Sequence, residues 1–143
     1  MENKAFNIIE IYCSKSIFTI EDSLEKKWLV EKEKKLASAV SLNYINYSEI
    51  APNTYLAKLS ASVVGKWNSD DFYKNFVEYS AIVRVENFEE EPLDMLMNIN
   101  VSGFMFPYIR AELTRGVLES KMPPISLQPI DFVGVYKKKK SEE

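Results

Sequence analysis

The sequence predicts an α+β domain in which a four-stranded antiparallel sheet packs with a long kinked helix and a short C-terminal helix. Three observations predict it. Residues 54–67 and 72–86 alternate apolar and polar side chains on either side of a short polar turn, and apolar residues from Leu93 to Val117 recur at intervals of four. A length of 143 residues with 46% hydrophobic and 27% charged content suits one globular domain. A chain of this size buries roughly 68–70% of its unfolded surface, enough for a true core.

Residues 6–20 are β-branched and aromatic, with Phe6, Ile8 and Tyr12 on one side of a period-2 pattern and Ile9, Ile11 and Cys13 on the other. That pattern predicts a strand covered on much of both faces, with Cys13 a small buried hydrophobe. Residues 21–35 are dense in mixed charge but carry Leu24, Trp28, Leu29 and Val30, which suits a helical turn or an ordered crossing loop. Val40, Leu42 and Tyr44 alternate with smaller or polar neighbours and predict a second strand over 36–47. In the hairpin, Tyr55, Ala57, Leu59, Ala61 and Val63 face one way, matched by Tyr73, Val77, Tyr79, Ala81 and Val83 after the turn Asn68-Ser69-Asp70-Asp71. Short polar side chains there bond their own backbone and reverse the chain.

The long helix begins at Pro92, whose missing N–H costs nothing in a first turn, beside Glu89, Glu90, Glu91 and Asp94 at the positive end of the helix dipole. Leu93, Met97, Val101, Met105, Ile109, Leu113 and Val117 follow, with Leu96, Phe104, Phe106 and Tyr108 widening the apolar surface. A strict spacing of four advances about 40° per step around a 3.6-residue helix. These side chains should therefore wind round the cylinder, and some of them should need a second partner. Pro107 inside the helix predicts a bend near Phe106. An extended apolar connection rich in proline follows Lys121, and Asp131 is placed to cap a last helix containing Phe132, Val133, Val135 and Tyr136. Residues 1–136 read as one domain and 137–143 as a basic, polar, disordered tail.

The composition excludes much chemistry. There is no histidine, which removes imidazole catalysis and His-ligated metal sites. The one cysteine provides neither an internal disulfide nor a CxxC motif. Four glycines, none at the spacing of a phosphate loop, leave no nucleotide fingerprint, so no cofactor is implied. A net charge of −3, with Lys137 to Lys140 confined to the end, disfavours a nucleic-acid surface. Met1 to Lys4 do not open a signal peptide, and no run reaches the roughly 20 apolar residues of a membrane span. A cytoplasmic protein without membrane insertion is expected. The carboxylates Glu10, Glu21, Asp22, Asp70, Asp71 and Asp131 read as edge, turn and capping residues, with acid–base work as the alternative. Trp28, flanked by Leu29 and Val30, is either core packing or one wall of an apolar groove.

Two blocks carry a resemblance. Phe106-Pro107-Tyr108-Ile109-Arg110, and Met122-Pro123-Pro124-Ile125-Ser126-Leu127-Gln128-Pro129-Ile130-Asp131-Phe132, closely resemble the F-P-Y-x-R…F-P-x-L-x-L-x-P-[IV]-[ND]-F stretch of the SecB protein-export chaperones, with the same spacing between blocks. The first strand, the tryptophan of the crossover loop and the hairpin resemble that family's layout. Departures are Ser102 where the family usually has proline, Glu119 and Ser120 where it has Arg-Gly, and Ser16 where it has an aspartate.

The resemblance implies an ATP-independent holdase for unfolded or precursor polypeptides, with no catalytic residue, working as a homotetramer, a dimer of dimers with long helices at the centre. Client grooves are expected between Trp28, Leu29 and Val30 on one side and Ile130, Phe132, Val133 and Tyr136 on the other. Val101, Phe104, Met105, Tyr108 and Ile109 are the expected oligomer interface, which the winding helix independently requires. The resemblance also implies docking of the SecA motor on acidic groups, here Glu21 and Asp22. General delivery to export and service to one dedicated client, such as an antitoxin in a toxin–antitoxin–chaperone system, both fit. A carboxylate enzyme and an adaptor for a folded partner are the readings from other classes.

Overall fold

In a computed structural model the chain is described over residues 5–86 and 88–143, apart from the Ala5 side chain, so Met1 to Lys4, read above for a signal peptide, lie outside the described residues. In chain order the elements are β1 (Ala5–Ile20), α1 (Asp22–Leu29), β2 (Ala37–Leu42), β3 (Asn46–Ala51), β4 (Thr54–Trp67), β5 (Asp70–Glu86), α2 (Glu90–Met95), a π-helical stretch (Leu96–Val101), α3 (Ser102–Glu119) and α4 (Phe132–Ser141). The antiparallel sheet runs β1-β5-β4-β2, with β3 also paired to β4. It thus has four positions built from five strands. The single strand expected over 36–47 is broken at Asn43, Tyr44 and Ile45, and its halves share the β4 edge: Leu42 lies opposite Ala61 and Asn46 opposite Lys58.

The hairpin turn is tighter than the four-residue turn expected. Asn68 and Ser69 alone connect the strands, both in the left-handed region at φ 52° and 70°. That is the backbone a two-residue hairpin with right-handed strand twist demands, and asparagine tolerates it well. A register shift at Gly65/Lys66 follows, and Gly65 is required there because an added Cβ would lie 2.0 Å from the Tyr73 ring.

In β1, register shifts at Ile8/Glu10 and Cys13/Lys15 overturn simple alternation. The extra residue in a bulge moves every later side chain to the other face. Ile8 opposite Val83 and Ile11 opposite Ala81 therefore both pack on the core, while Tyr12, opposite Ser80, lies on the far side of the sheet. The expected double coverage is not found within the chain: Phe6, Ile9, Tyr12 and Ile17 are exposed, and so is Cys13.

The long helix departs most from expectation. Leu93, Met97, Val101, Met105, Ile109, Leu113 and Val117 are all buried. The π-helical stretch limits how far they wind round the cylinder. A π turn takes more residues than an α turn, so across 96–101 a spacing of four falls short of a full turn and rotates the row back toward the sheet. Ser102 donates its hydroxyl to the Met97 carbonyl at 2.9 Å, a second bond to an acceptor that its own backbone N–H also reaches. This departure from α geometry precedes Pro107, which lies inside α3.

The helix ends without the glycine that usually makes such a turn. Lys121 adopts φ 61°, the Met122 amide donates to the Val117 carbonyl, and the Lys121 amide donates to the Leu118 carbonyl, both at 3.1 Å. These are the two bonds of a Schellman cap, with Met122 and Val117 both buried beside it. Finally, α4 does not stop at Tyr136. Lys137 to Lys140, expected as a disordered tail, form its second half, because Lys139 and Lys140 find partners on the π-helical stretch and on α2.

Candidate functional site

The two expected groove walls fall on different parts of the core. On the first, Trp28 is buried, its ring 4.9 Å from Phe72 and 5.4 Å from Trp67, with Lys34 Nζ 5.7 Å above it. Core packing, the plainer of its two readings, is its position here. Leu29 and Val30 beyond it are 64% and 82% exposed, as α1 ends and its apolar residues run into solvent. Glu21 accepts the Ser23 amide at 3.5 Å and caps α1, and both Glu21 and Asp22 are exposed at the helix start.

On the second wall, Asp131 caps α4 by accepting the Gly134 amide at 3.2 Å. Phe132 is buried edge-on against Phe106, with ring centroids 5.9 Å apart, and Ile130 is partly buried against the core. Val133 is exposed on the outer side of α4. Beneath the helix, Leu42, Tyr44, Ile45 and Leu59 meet Phe132 and Val135 around a void of about 10 Å³. A space of that size holds at most one water, so α4 itself covers the corner between β2 and β3, which Asn43, Asn98 and Ser102 also line.

What holds α4 down is a polar hub that sequence reasoning missed. Asp94, taken only as charge near a helix start, accepts the Tyr47 hydroxyl at 2.6 Å and the Tyr136 hydroxyl at 3.2 Å, and pairs with Lys140 at 3.4 Å. Asn98, one turn on, donates to the Asp94 carbonyl at 2.8 Å and accepts Lys139 Nζ at 3.4 Å. Lys139 also lies 5.3 Å from the centre of the Tyr44 ring. Burial alone would raise the Asp94 carboxyl pKa, but the Tyr47 hydroxyl, Lys139, Lys140 and Tyr136 outweigh it and hold the group below its ordinary value. Burial, and then donation to Asp94, push the Tyr47 phenol in the opposite direction. The available signal was two short polar residues, Asp94 and Asn98, four apart and so on one face of the helix.

Of the expected interface residues, Val101, Met105 and Ile109 are fully buried against the chain's own sheet. Phe104 and Tyr108 remain outward, 52% and 43% exposed, with ring centroids 6.4 Å apart. The carboxylates considered for acid–base work do not assemble. Asp71 pairs with Lys66 at 3.7 Å, Asp131 and Glu21 cap helices, and among the described residues no group of three His, Cys, Asp or Glu side chains could hold a metal.

A single antiparallel sheet backed by one long helix, with aliphatic side chains presented on the ends of short helices, defines an α+β scaffold. A family model described as preprotein translocase subunit SecB matches residues 1–143. The chain belongs to the SecB family. It is 27% identical over 109 residues to protein-export protein SecB of Rhodopseudomonas palustris (strain BisB5), covering 76% of this chain and 68% of that one. It is 30% identical over 90 residues to protein-export protein SecB of Neisseria meningitidis serogroup A, covering 62% and 61%. The match thus spans less than two thirds of the Neisseria relative. Among solved structures, a SecB-like chaperone of Mycobacterium tuberculosis in complex with a ChAD peptide from the HigA1 antitoxin aligns with TM-score 0.68 at 13% identity, over 88% of this chain and 91% of that one. That likeness is one of fold.

Proposed function

We propose that this protein is an ATP-independent chaperone that holds unfolded polypeptides and keeps precursors competent for export through the Sec pathway. The observation that carries the reading is the exposure of Leu29, Val30 and Val133 on the helices that flank the sheet of a SecB-family fold. Exposed aliphatic side chains gain free energy by withdrawing a client's apolar surface from water, so capture makes or breaks no covalent bond. Each patch is small. A long client touching several patches on one homotetramer gains affinity through effective concentration. The outward Phe104 and Tyr108 supply the self-association surface, and Glu21 with Asp22 the acidic group for SecA. A cytoplasmic site of action is part of this reading; among the described residues no helix is long and apolar enough to cross a membrane.

The test is refolding of a denatured protein with and without this chain, in the absence of nucleotide. Saturable delay of refolding or suppression of light scattering is expected; indifference to denatured protein overturns the reading. A dedicated client, such as an antitoxin, is the second reading. It is favoured by the antitoxin peptide bound to the Mycobacterium tuberculosis chaperone and by Ser16 standing where the family carries an aspartate. Polypeptides that co-purify with the protein distinguish the two: a mixture of precursors supports export, one stoichiometric partner the dedicated role.

A further inference from the structure

Helix α4 rests on the body of the protein through few side chains of its own. Phe132 and Tyr136 are the two it buries, Gly134 stands between them, and its second half is lysine. A helix of ten residues does not persist in water without packing, so α4 is a helix only while it is docked. It hangs from residues 122–131, which form neither helix nor strand and include Pro123, Pro124 and Pro129, so its departure does not require α3 to move. Polar bonds to Asp94 and Asn98 tie it down through Tyr136, Lys139 and Lys140. The Lys140 tie is shared: its Nζ lies 3.4 Å from Asp94, 3.4 Å from Glu143 and 3.9 Å from Glu91, and its side chain is one-third open to water. An ion pair so placed is a weak fastening that water and salt can loosen.

Beneath the helix lies a surface that water would not cover well. The break between β2 and β3 brings Ile45 beside Leu59, and Phe106 meets Phe132, each of the three at most 5% exposed while α4 is in place. Phe132 and Val135 fill the corner so fully that a void of about 10 Å³ remains. The chain itself thus shows what the corner accepts: an aromatic side chain with an aliphatic one three residues further on. Burial of those two groups does not depend on their being joined to residue 131, so a separate segment offering the same pair gains the same free energy.

We propose that α4 is an autoinhibitory strap: Phe132 and Val135 occupy a corner that an aromatic and aliphatic segment of a captured polypeptide takes when α4 lifts, and the Asp94 hub sets how often it lifts. The inference rests on the chaperone reading above for its natural occupant. Strap and segment exclude each other, so weakening the hub must tighten binding by the factor by which it raises the lifted population. The test is residue-resolved hydrogen exchange of the full chain, titrated with the acetylated peptide amide of residues 131–136 and with the same peptide carrying Phe132→Ser and Val135→Ser. Saturation with the first peptide should speed exchange of the α4 amides from Tyr136 to Lys140 at least tenfold and shift the Ile45 and Leu59 amides; the second should do neither. In Lys139→Gln/Lys140→Gln, α4 exchange and affinity for the first peptide should rise together, by the same factor and at least threefold. Peptide binding that leaves α4 exchange unchanged, no binding at all, or faster exchange in the variant without tighter binding overturns the proposal and leaves α4 as ordinary packing. Because the titration uses the natural sequence, it decides the matter even if the variant is unstable. Delayed refolding of a denatured protein, measured on the same natural chain, reports on the chaperone reading separately: its persistence without coupling between peptide and α4 removes the strap only, and its absence with the coupling intact removes the client and keeps the strap.

Discussion

Asp94 and Lys121 show how much single positions decide here. Asp94 is the acceptor shared by Tyr47, Tyr136 and Lys140, so Asp94→Asn removes the charge on which three donors converge. A cost of about 1–3 kcal/mol is expected, concentrated in α4 and visible as faster amide exchange over its residues. The pH dependence has a definite sign. A carboxyl held below its ordinary value in the folded state stabilises above its unfolded pKa and loses that contribution as pH falls through the lowered one. Docking of α4 should therefore weaken in acid below the ordinary Asp range, and α4 exchange in Asp94→Asn should be flat across that window. Lys121, by contrast, carries a side chain in a left-handed conformation that glycine adopts without strain. Lys121→Gly should raise stability by up to about 1 kcal/mol in urea unfolding, since the relief of strain is partly offset by a more flexible unfolded chain. Trp28 belongs to the same scale: buried between Trp67 and Phe72, it should cost about 3–5 kcal/mol on truncation to alanine. A Trp28→Ala variant with unchanged unfolding would return Trp28 to the groove.

At the scale of elements, legibility followed the range of the interactions. The hairpin was readable because two alternating runs and a short turn lie side by side in the chain, and the strand ends agree to within two residues. The Asp131 cap was readable for the same local reason. The bulges of β1 were not, because a bulge is decided by the partner strand, and β1 meets β5 across the forty-nine residues of intervening chain, 21–69. Nor was the π stretch, whose widened turn answers to the flat surface beneath it: only with the sheet in place does keeping Met97, Val101 and Met105 on one side outweigh regular α bonding. The lysines of α4 read as tail because composition shows charge and not its counterpart, and Asp94 lies more than forty residues earlier.

For the whole molecule, this rotation of the helix changes where association is to be sought. Seven apolar residues, some of which were expected to need a second partner, are all buried within one chain, and the large apolar residues left outward on α3 are Phe104, Tyr108 and Leu118. Glu in place of both Phe104 and Tyr108 should lower the mass measured by light scattering without loss of helicity. Met105→Glu or Ile109→Glu should instead unfold the monomer, since each buries a charge with no partner. An oligomer surviving the double Phe104/Tyr108 change would move the interface to the exposed strand β1. The amino-acid sequence alone determined the α+β class, the hairpin, the Asp131 cap and the absence of imidazole chemistry, since composition and local bonding suffice for these. The tertiary structure decided which apolar residues are buried and which are left exposed. That choice depends on the register between strands and on the rotation of one helix over the sheet, both set by contacts between residues far apart in the chain.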